Sequence, residues 1–219
     1  MACHPGAPVD DKELVMHARS TTITGDPGAV DAAVAFVRDE VMPSLTAMDG
    51  CLGLSLVADR ELGRIIATSS WRDEEAMHAA DQHLGPMRAE GGKILGGSPH
   101  VEEWEVAVMH RDHATHEGSC CRITWARTDD VEQMARTWRE RILPGVEQLQ
   151  GFCSASLLVD RSTGRGCATV VFDDHRALEA TRDQAATMRR RATDEMGLEI
   201  LMVGELDLEI AHLRLPELV

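Results

Sequence analysis

The sequence predicts an α+β protein made of two ferredoxin-like βαββαβ repeats, whose antiparallel sheets pack face to face into a pseudo-dimeric α/β barrel. Two stretches of the chain match each other at a constant offset, and both carry the same order of strand and helix patterns. Each unit covers one sheet face with its helices and leaves the other face apolar. Because an apolar face must be buried, the second copy is the expected partner.

The internal repeat is visible without gaps. Pro43–Arg88 aligns with Pro144–Arg189 at an offset of 101 residues, and 15 of the 46 pairs are identical, against roughly three for unrelated segments. One inserted residue later, Val101–Val108 aligns with Val203–Ile210. A period of about 100 residues suits a duplicated small domain. We therefore expect domains at 13–110 and 118–212, joined by a polar linker at 111–117.

The first copy shows the order of elements most clearly. Asp26-Pro27 is a helix-start signal after a first strand, and Asp73 is expected to begin the second helix. The turn Asp59–Gly63 joins two strands as a hairpin. The segment Gly91–Gly97, with Lys93, is expected to be a loop after that helix. The predicted strands of this copy lie near Leu14–Thr24 and at Cys51–Ala58, Arg64–Trp71 and Val101–Met109.

Composition excludes several classes of protein. The chain of 219 residues has 22 basic and 37 acidic side chains and a formal charge of −15, which argues against nucleic acid or an anionic membrane as a partner. No apolar run reaches the roughly 18 residues of a spanning helix, and no leader pattern is present, so we expect a cytoplasmic protein. The six cysteines show no paired metal-ligand spacing and are interpreted as apolar fillers or free thiols.

The end of the hairpin carries a sequence motif that resembles that of a known family. Trp71–Met77 (WRDEEAM) resembles the W-x-[DS]-x-E-A signature of antibiotic biosynthesis monooxygenase (ABM) domains of the dimeric α/β-barrel superfamily, and Phe172–Leu178 repeats it in weaker form. Members of that family usually dimerise, and this chain resembles both halves fused. The resemblance implies a monooxygenase or oxidoreductase that acts on a small hydrophobic or aromatic substrate, polyketide- or quinol-like, with dioxygen and without metal or flavin.

Such chemistry needs a base, a donor for the developing oxyanion and aromatic walls. The candidate bases and the candidate substrate-binding residues are spread over the first strand, the hairpin and the second helix. Divergence of the copies at His83/Gln184 and Trp71/Phe172 predicts one working pocket, in the first copy. The candidate catalytic residues are His83, His17 and His78, and the candidate substrate-binding residues are Trp71, Arg19, Trp125 and Arg88.

Several alternatives stay open. The protein could be a non-catalytic binder of a small ligand, a haem-binding barrel, or a cyclase or decarboxylase on the same fold. Haem degradation by a helix His, a strand Trp and a first-strand Asn is disfavoured, since the chain has no Asn and the His–Trp spacings do not fit. No metal site is predicted, because His113 and His116 lie in a linker expected to be flexible and His110 directly precedes it. A monomer with an internal pseudo-dimer is expected, and further homodimerisation is left open.

Overall fold

The computed structural model describes residues 15–214 and 216–219, in which eight antiparallel strands close into a barrel with helices outside it. The predicted fold class is confirmed. The expected beginnings of the first strand at Leu14 and of the first domain at residue 13 lie outside the described residues. The strands are β1 His17–Thr24, β2 Cys51–Asp59, β3 Arg64–Trp71, β4 His100–Arg111, β5 Cys120–Arg127, β6 Phe152–Asp160, β7 Arg165–Phe172 and β8 Glu199–Leu213.

The helices follow the same order in both copies. In each copy the first helix widens into a π-helical turn before it ends, at Val37–Val41 and at Trp138–Ile142. None of the helices in the described part of the chain has the length and apolar character that crossing a membrane requires. The helices are α1 Val30–Phe36, α2 Met42–Thr46, α3 Glu74–Ala79, α4 Asp81–Leu95, α5 Val131–Thr137, α6 Leu143–Val146, α7 His175–Ala180 and α8 Arg182–Met196.

Equivalent residues make the same local structure in the two copies. Asp73 and Asp174 both stand before a helix with extended backbone, and their side chains accept hydrogen bonds from the backbone N–H groups of Ala76 and Ala177. Such capping satisfies donors that have no partner inside the helix. The duplication in sequence is therefore also a duplication of local hydrogen bonding.

Two strand pairs join the copies and close the barrel. β4 pairs with β1 of its own copy and with β6 of the other, while β8 pairs with β5 and with β2. The strand order is β1-β3-β2-β8-β5-β7-β6-β4. Strand β4 ends at Arg111 and β8 at Leu213, one residue beyond the expected domain ends. We propose the same division of the chain, 13–110 and 118–212 with 111–117 between them.

The side chains of the strands alternate between two environments. One set of buried side chains points into the barrel, where both copies contribute to a single core that includes Trp104 and Trp125. The other set packs under the helices, in one core for each copy, around Trp71 and around Phe172. The period-two alternation of strands accounts for this arrangement.

The hairpin-turn arginines connect the two copies. Arg60 donates to Asp207 and Glu209 on β8, and the equivalent Arg161 donates to Glu105 on β4. The sequence marks both only as exposed turn residues. In the structure each one holds the last strand of the other copy, although their partial exposure keeps the energetic contribution of each pair small.

The glycine-rich segment after the second helix differs from expectation. Helix α4 continues through Gly91 and Gly92 to Leu95, so Lys93 is helical and the predicted loop is wrong for this part. Both glycines are buried, and a Cβ on Gly92 would lie 2.8 Å from the carbonyl oxygen of Gly97. Here glycine serves close packing, and the helix ends only at Gly96, where φ is +76°.

A test of barrel closure is the substitution Gly53→Ala. Gly53 has φ +139°, and an added Cβ would lie 2.0 Å from the carbonyl oxygen of His212 across the β2–β8 pair. We expect the free energy of unfolding in a urea titration to fall by about 3 kcal/mol or more, from backbone strain plus the clash.

Gly118→Ala is the matched control. Gly118 also has positive φ, +90°, but a Cβ there meets nothing within 4 Å. Strain alone should cost about 1 kcal/mol. Equal losses in the two variants would show that the β2–β8 contact contributes nothing beyond local backbone preference.

Candidate functional site

Three cavities, each partly open to solvent, lie in the barrel and under the helices. The barrel interior holds a cavity of about 310 Å³. A second cavity, of about 100 Å³, lies between the helices and the sheet of the second copy. The corresponding space in the first copy is about 60 Å³. Each copy therefore keeps a helix-side cavity, and the barrel cavity is the largest of these three.

The barrel cavity is lined by hydroxyl groups and two indole rings. Trp104 donates from Nε1 to the Oγ of Ser20 at 2.9 Å, and Trp125 lies across the interior. Glu102, the acidic residue in the lining, is paired with Arg165. Burial raises the pKa of the Cys167 thiol to about 12, so this lining contains no free group that is ready to accept a proton at neutral pH.

In the first copy, a buried arginine organises the helix side of the sheet. Arg19 on β1 donates to Glu103 on β4, to the carbonyl oxygen of Met77 and to Asp81. Arg88, one of the expected substrate-binding residues, pairs with the same Asp81. Both guanidinium groups line the first-copy cavity and both are neutralised by carboxylates. Their geometry is that of an ion-pair network.

The second copy repeats the buried arginine but changes its neighbours. Arg122 on β5 donates to Glu205, to Thr181 and to the carbonyl oxygen of Leu178. The counterpart of Asp81 is Arg182, which also pairs with Glu205. Glu205 thus pairs with both Arg122 and Arg182. In the first copy, two carboxylates, Glu103 and Asp81, occupy the corresponding positions.

This exchange leaves Arg189 without a carboxylate. Arg189 is the counterpart of Arg88, is half-buried, and has no hydrogen bond or ion pair among the described residues. Burial and the nearby positive charge of Arg122 lower the pKa of Arg189 from its ordinary value. A half-buried guanidinium that lies near a second positive charge and has no carboxylate in contact is stabilised by an anion that binds beside it.

The second-copy cavity is otherwise apolar. Its walls include Trp138 and Phe172, and the guanidinium of Arg122 lies 5.6 Å from the centroid of the Phe172 ring. Met134 and Met188 complete the wall with flexible thioether side chains. The arrangement offers aromatic surface, apolar surroundings and one positive charge, that of Arg189, with no carboxylate in direct contact among the described residues.

The three candidate histidines lie outside these three cavities, although His83 lines a more open cleft of about 720 Å³ on the surface of the first copy. His83 is exposed on α4 and its Nε2 lies 2.9 Å from the Oγ of Ser44. His78 is exposed on α3 and pairs with Glu103. His17 is half-buried on β1, opposite Trp71 on one side and Glu105 on the other. The structure does not bring them together, and their catalytic role stays a prediction.

The candidate tryptophans separate between two environments. Trp71 is fully buried under the helices of the first copy, where its Nε1 donates to the Oγ of Ser69 at 3.0 Å. Trp125 lines the barrel cavity and faces away from the helices. Strand alternation places them on opposite faces of the sheets, so they cannot form one stacking wall.

Two features were not predicted from the sequence. One is the buried arginine on the first strand of the second copy, and the other is the lack of a carboxylate partner for Arg189 among the described residues. Ala18-Arg19-Ser20 and Cys121-Arg122-Ile123 place an arginine at the same position of an otherwise buried strand. That signal was available at an offset of 103, two residues away from the offset of the main repeat. The unpaired state of Arg189 could not be found this way, because it depends on contacts with β8 and α8.

The fold, the duplication and the sequence together define the class of protein. The family model for antibiotic biosynthesis monooxygenase matches residues 16–89, the greater part of the first copy. The chain belongs to the ABM family, as a tandem duplication.

Some relatives are similar to this chain over nearly all of its residues. The uncharacterized protein Rv2557 of Mycobacterium tuberculosis is 48% identical over 207 residues, which cover 94% of this chain and 92% of that protein. A solved Lactobacillus acidophilus protein, provisionally assigned as a monooxygenase, has a TM-score of 0.65 at 11% identity and covers 91% of this chain and 97% of its own. The structure of an anthrone oxidase-like protein has a TM-score of 0.63 at 14% identity, and the match covers 92% of this chain and 93% of that protein. At these identities the solved structures show a shared fold.

The Arg122–Glu205 pair should make the free energy of unfolding decrease measurably as the pH becomes acidic. Burial opposes the charge of Glu205, but hydrogen bonds from Arg182 and Arg122 outweigh it and hold the pKa of Glu205 below its ordinary value. A depressed carboxyl pKa contributes stability above the unfolded value of about 4.3, and that stability is lost as pH falls through the folded value.

We therefore expect Glu205→Gln to lower the free energy of unfolding by roughly 2 kcal/mol at pH 7, with the difference from wild type shrinking below about pH 4. Urea titrations between pH 3 and pH 7 measure this. Glu61→Gln, at an exposed turn position, is the control for the substitution itself. A pH-independent difference for Glu205→Gln would contradict the ionic role.

Proposed function

We propose that this protein is an ABM-type oxygenase that holds a small aromatic or enolisable substrate as its anion in the second-copy cavity and lets it react with dioxygen without metal or flavin. The observation that carries the proposal is Arg189, a half-buried guanidinium with no carboxylate partner among the described residues, at the wall of an apolar cavity. The equivalent Arg88 is neutralised by Asp81.

An anionic substrate fits this site for electrostatic reasons. A phenol or enol that ionises beside Arg189 gains a charge-assisted hydrogen bond in surroundings that exclude water. The same interaction lowers the pKa of the substrate, so its ionisation needs less help from a base. The proton can leave to solvent at the edge of the cavity, which is consistent with the lack of His and carboxylate groups in its lining.

The walls suit an aromatic ring. Trp138 and Phe172 offer flat surface. The cavity of about 100 Å³ is smaller than the roughly 150 Å³ at which an apolar cavity binds benzene. A ring therefore enters when the two flexible methionines in the wall, Met134 and Met188, rotate away. We propose a substrate of one or two fused rings with an ionisable oxygen.

The reaction balances without an added cofactor. Loss of a proton gives an electron-rich anion, which transfers electrons to dioxygen and forms a carbon–oxygen bond. For a ring methylene, CH₂ and O₂ become C=O and H₂O, so the substrate supplies all four electrons. The protein's part is to orient the ring, to stabilise the anion through Arg189 and to keep water away from it.

Substitution of Arg189 tests the site. With a series of small quinols and two-ring ketones of the tetralone type, we expect Arg189→Met to raise KM for oxygen-consuming turnover about 10- to 100-fold, from loss of one charged hydrogen bond. An oxygen electrode with product analysis by mass spectrometry measures this. Arg190→Met, at the exposed neighbouring position, should behave as wild type.

The same assay compares the two copies. Arg88→Met and His83→Ala remove groups that the sequence pattern places in a first-copy site, and we expect smaller effects from both. If either variant loses turnover while Arg189→Met keeps it, the working pocket is in the first copy. If no compound in the series consumes oxygen with the wild-type protein, the oxygenase proposal fails.

A second candidate function is ligand binding in the barrel. The cavity of about 310 Å³ lies within the size range of small-molecule sites, and its two tryptophans and many hydroxyl groups suit a ring compound with polar substituents. Because its lining has no free base, we propose binding without turnover there. No histidine lines any of the three cavities among the described residues, which disfavours haem held through an imidazole inside them.

Tryptophan fluorescence distinguishes the two cavities. Trp138 lies at the second-copy cavity, whereas Trp104 and Trp125 lie in the barrel. If the substrate site is under the helices, quenching by 1,4-naphthoquinone should be reduced in Trp138→Phe and kept in Trp104→Phe. The opposite pattern would place the ligand in the barrel and favour the second candidate.

A further inference from the structure

Four potential metal ligands from three separate segments meet beside the linker between the copies. His113 and His116 follow β4, Cys153 lies on β6, and Asp173 stands between β7 and α7. Cys153 is the extra residue at the irregularity between Phe152 and Ser154, where the register with β7 shifts. A bulge of this kind changes the direction of a side chain.

The donor atoms converge on one carboxylate oxygen. Oδ1 of Asp173 lies 2.9 Å from Nε2 of His113, 3.5 Å from Nε2 of His116 and 3.2 Å from Sγ of Cys153. The ligand atoms of His113, Cys153 and Asp173 all lie within 4.8 Å of one another. Around a tetrahedral zinc ion with bonds of about 2.0–2.3 Å, donors are separated by roughly 3.3–3.7 Å, so small side-chain rotations would admit the ion.

Both histidines are oriented in the way that metal ligands usually are. Nδ1 of His113 lies 2.8 Å from a carboxylate oxygen of Asp112, and Nδ1 of His116 lies 2.8 Å from the carbonyl oxygen of Glu117. Each ring can therefore donate from Nδ1 and present Nε2 toward Asp173. A carboxylate or carbonyl behind the imidazole fixes its tautomer and makes it a better ligand.

The backbone holds the linker against Cys153. The N–H groups of Asp112 and His113 both donate to the carbonyl oxygen of Cys153, at 2.9 and 3.3 Å. The sequence predicts a flexible linker here. The structure differs, because backbone hydrogen bonds hold Asp112 and His113 against Cys153. The first copy cannot repeat the cluster, because Leu52 and Arg72 occupy the positions of Cys153 and Asp173.

The chemistry of the cluster favours a cation. Cys153 offers a buried sulfur atom, His113 an imidazole nitrogen and Asp173 a carboxylate oxygen, all within 4.8 Å of one another. A divalent ion would satisfy sulfur, nitrogen and oxygen donors at once.

We propose that His113, His116, Cys153 and Asp173 form a zinc site that fixes the linker between the copies. The mixed set of one thiolate, two imidazoles and one carboxylate matches the preference of Zn²⁺ for tetrahedral nitrogen, sulfur and oxygen ligands. Ala114 and Thr115, between the two histidines, line the barrel cavity. The ion therefore holds in place the loop that borders this cavity.

The test uses the full-length protein after removal of metals with a chelator. Competition with a chromophoric zinc indicator should show one tight site per chain, and Co²⁺ should give a thiolate-to-cobalt absorption band. Cys153→Ala should abolish that band and weaken zinc binding about 100-fold or more, and Asp112→Asn should weaken it about tenfold with the band kept. Zinc should raise the Tm of the wild type and not that of Cys153→Ala.

Two controls keep the result interpretable. Cys167→Ala removes a buried thiol of the barrel lining and should keep the band and the affinity. If Cys153→Ala does not fold, His113→Ala, at a partly exposed position, should still weaken zinc binding about 100-fold. Wild-type protein that takes up no zinc, or variants that bind it as well as wild type, would show that the cluster is a network of hydrogen bonds and ion pairs only.

Discussion

The structure depends on burial of the two inward sheet faces against each other. Neither copy can cover its inner face alone, since its helices lie on the other side. The pairs β4–β6 and β2–β8 make that contact permanent by joining the sheets edge to edge, which also removes every open strand edge. Fusion in one chain makes the association intramolecular, so the pairing does not depend on protein concentration.

Fusion also frees the two copies to differ. In a dimer of identical chains each substitution appears twice, whereas here one helix side holds the pair Arg88–Asp81 and the other holds Arg189 without a carboxylate. The cluster at Cys153 likewise has no counterpart. The buried arginines Arg19 and Arg122 stay the same because each connects its sheet to the helix above it. The shared contacts maintain the fold, and the differences between the copies are where we place function.

The fold was largely predictable from the sequence because its signals are local or repeated. The strand Arg64–Trp71 agrees with the structure to the residue, and Asp73 begins a helix as expected. The predictions failed where packing overrides a local signal. The glycines at 91 and 92 predict a loop, yet both residues continue a helix, and the missing side chain of Gly92 permits close contact with Gly97.

The amino-acid sequence is sufficient to predict the duplication, the order of elements, the family and the contact between the two inner faces, because these follow from periodicity, turn residues and a repeat at constant offset. Which ionisable groups are paired depends on the folded arrangement. Arg88 and Arg189 look equivalent along the chain, and His113, Cys153 and Asp173 lie 20 to 60 residues apart. Their charge states depend on neighbours that are distant in sequence, so no local pattern encodes them.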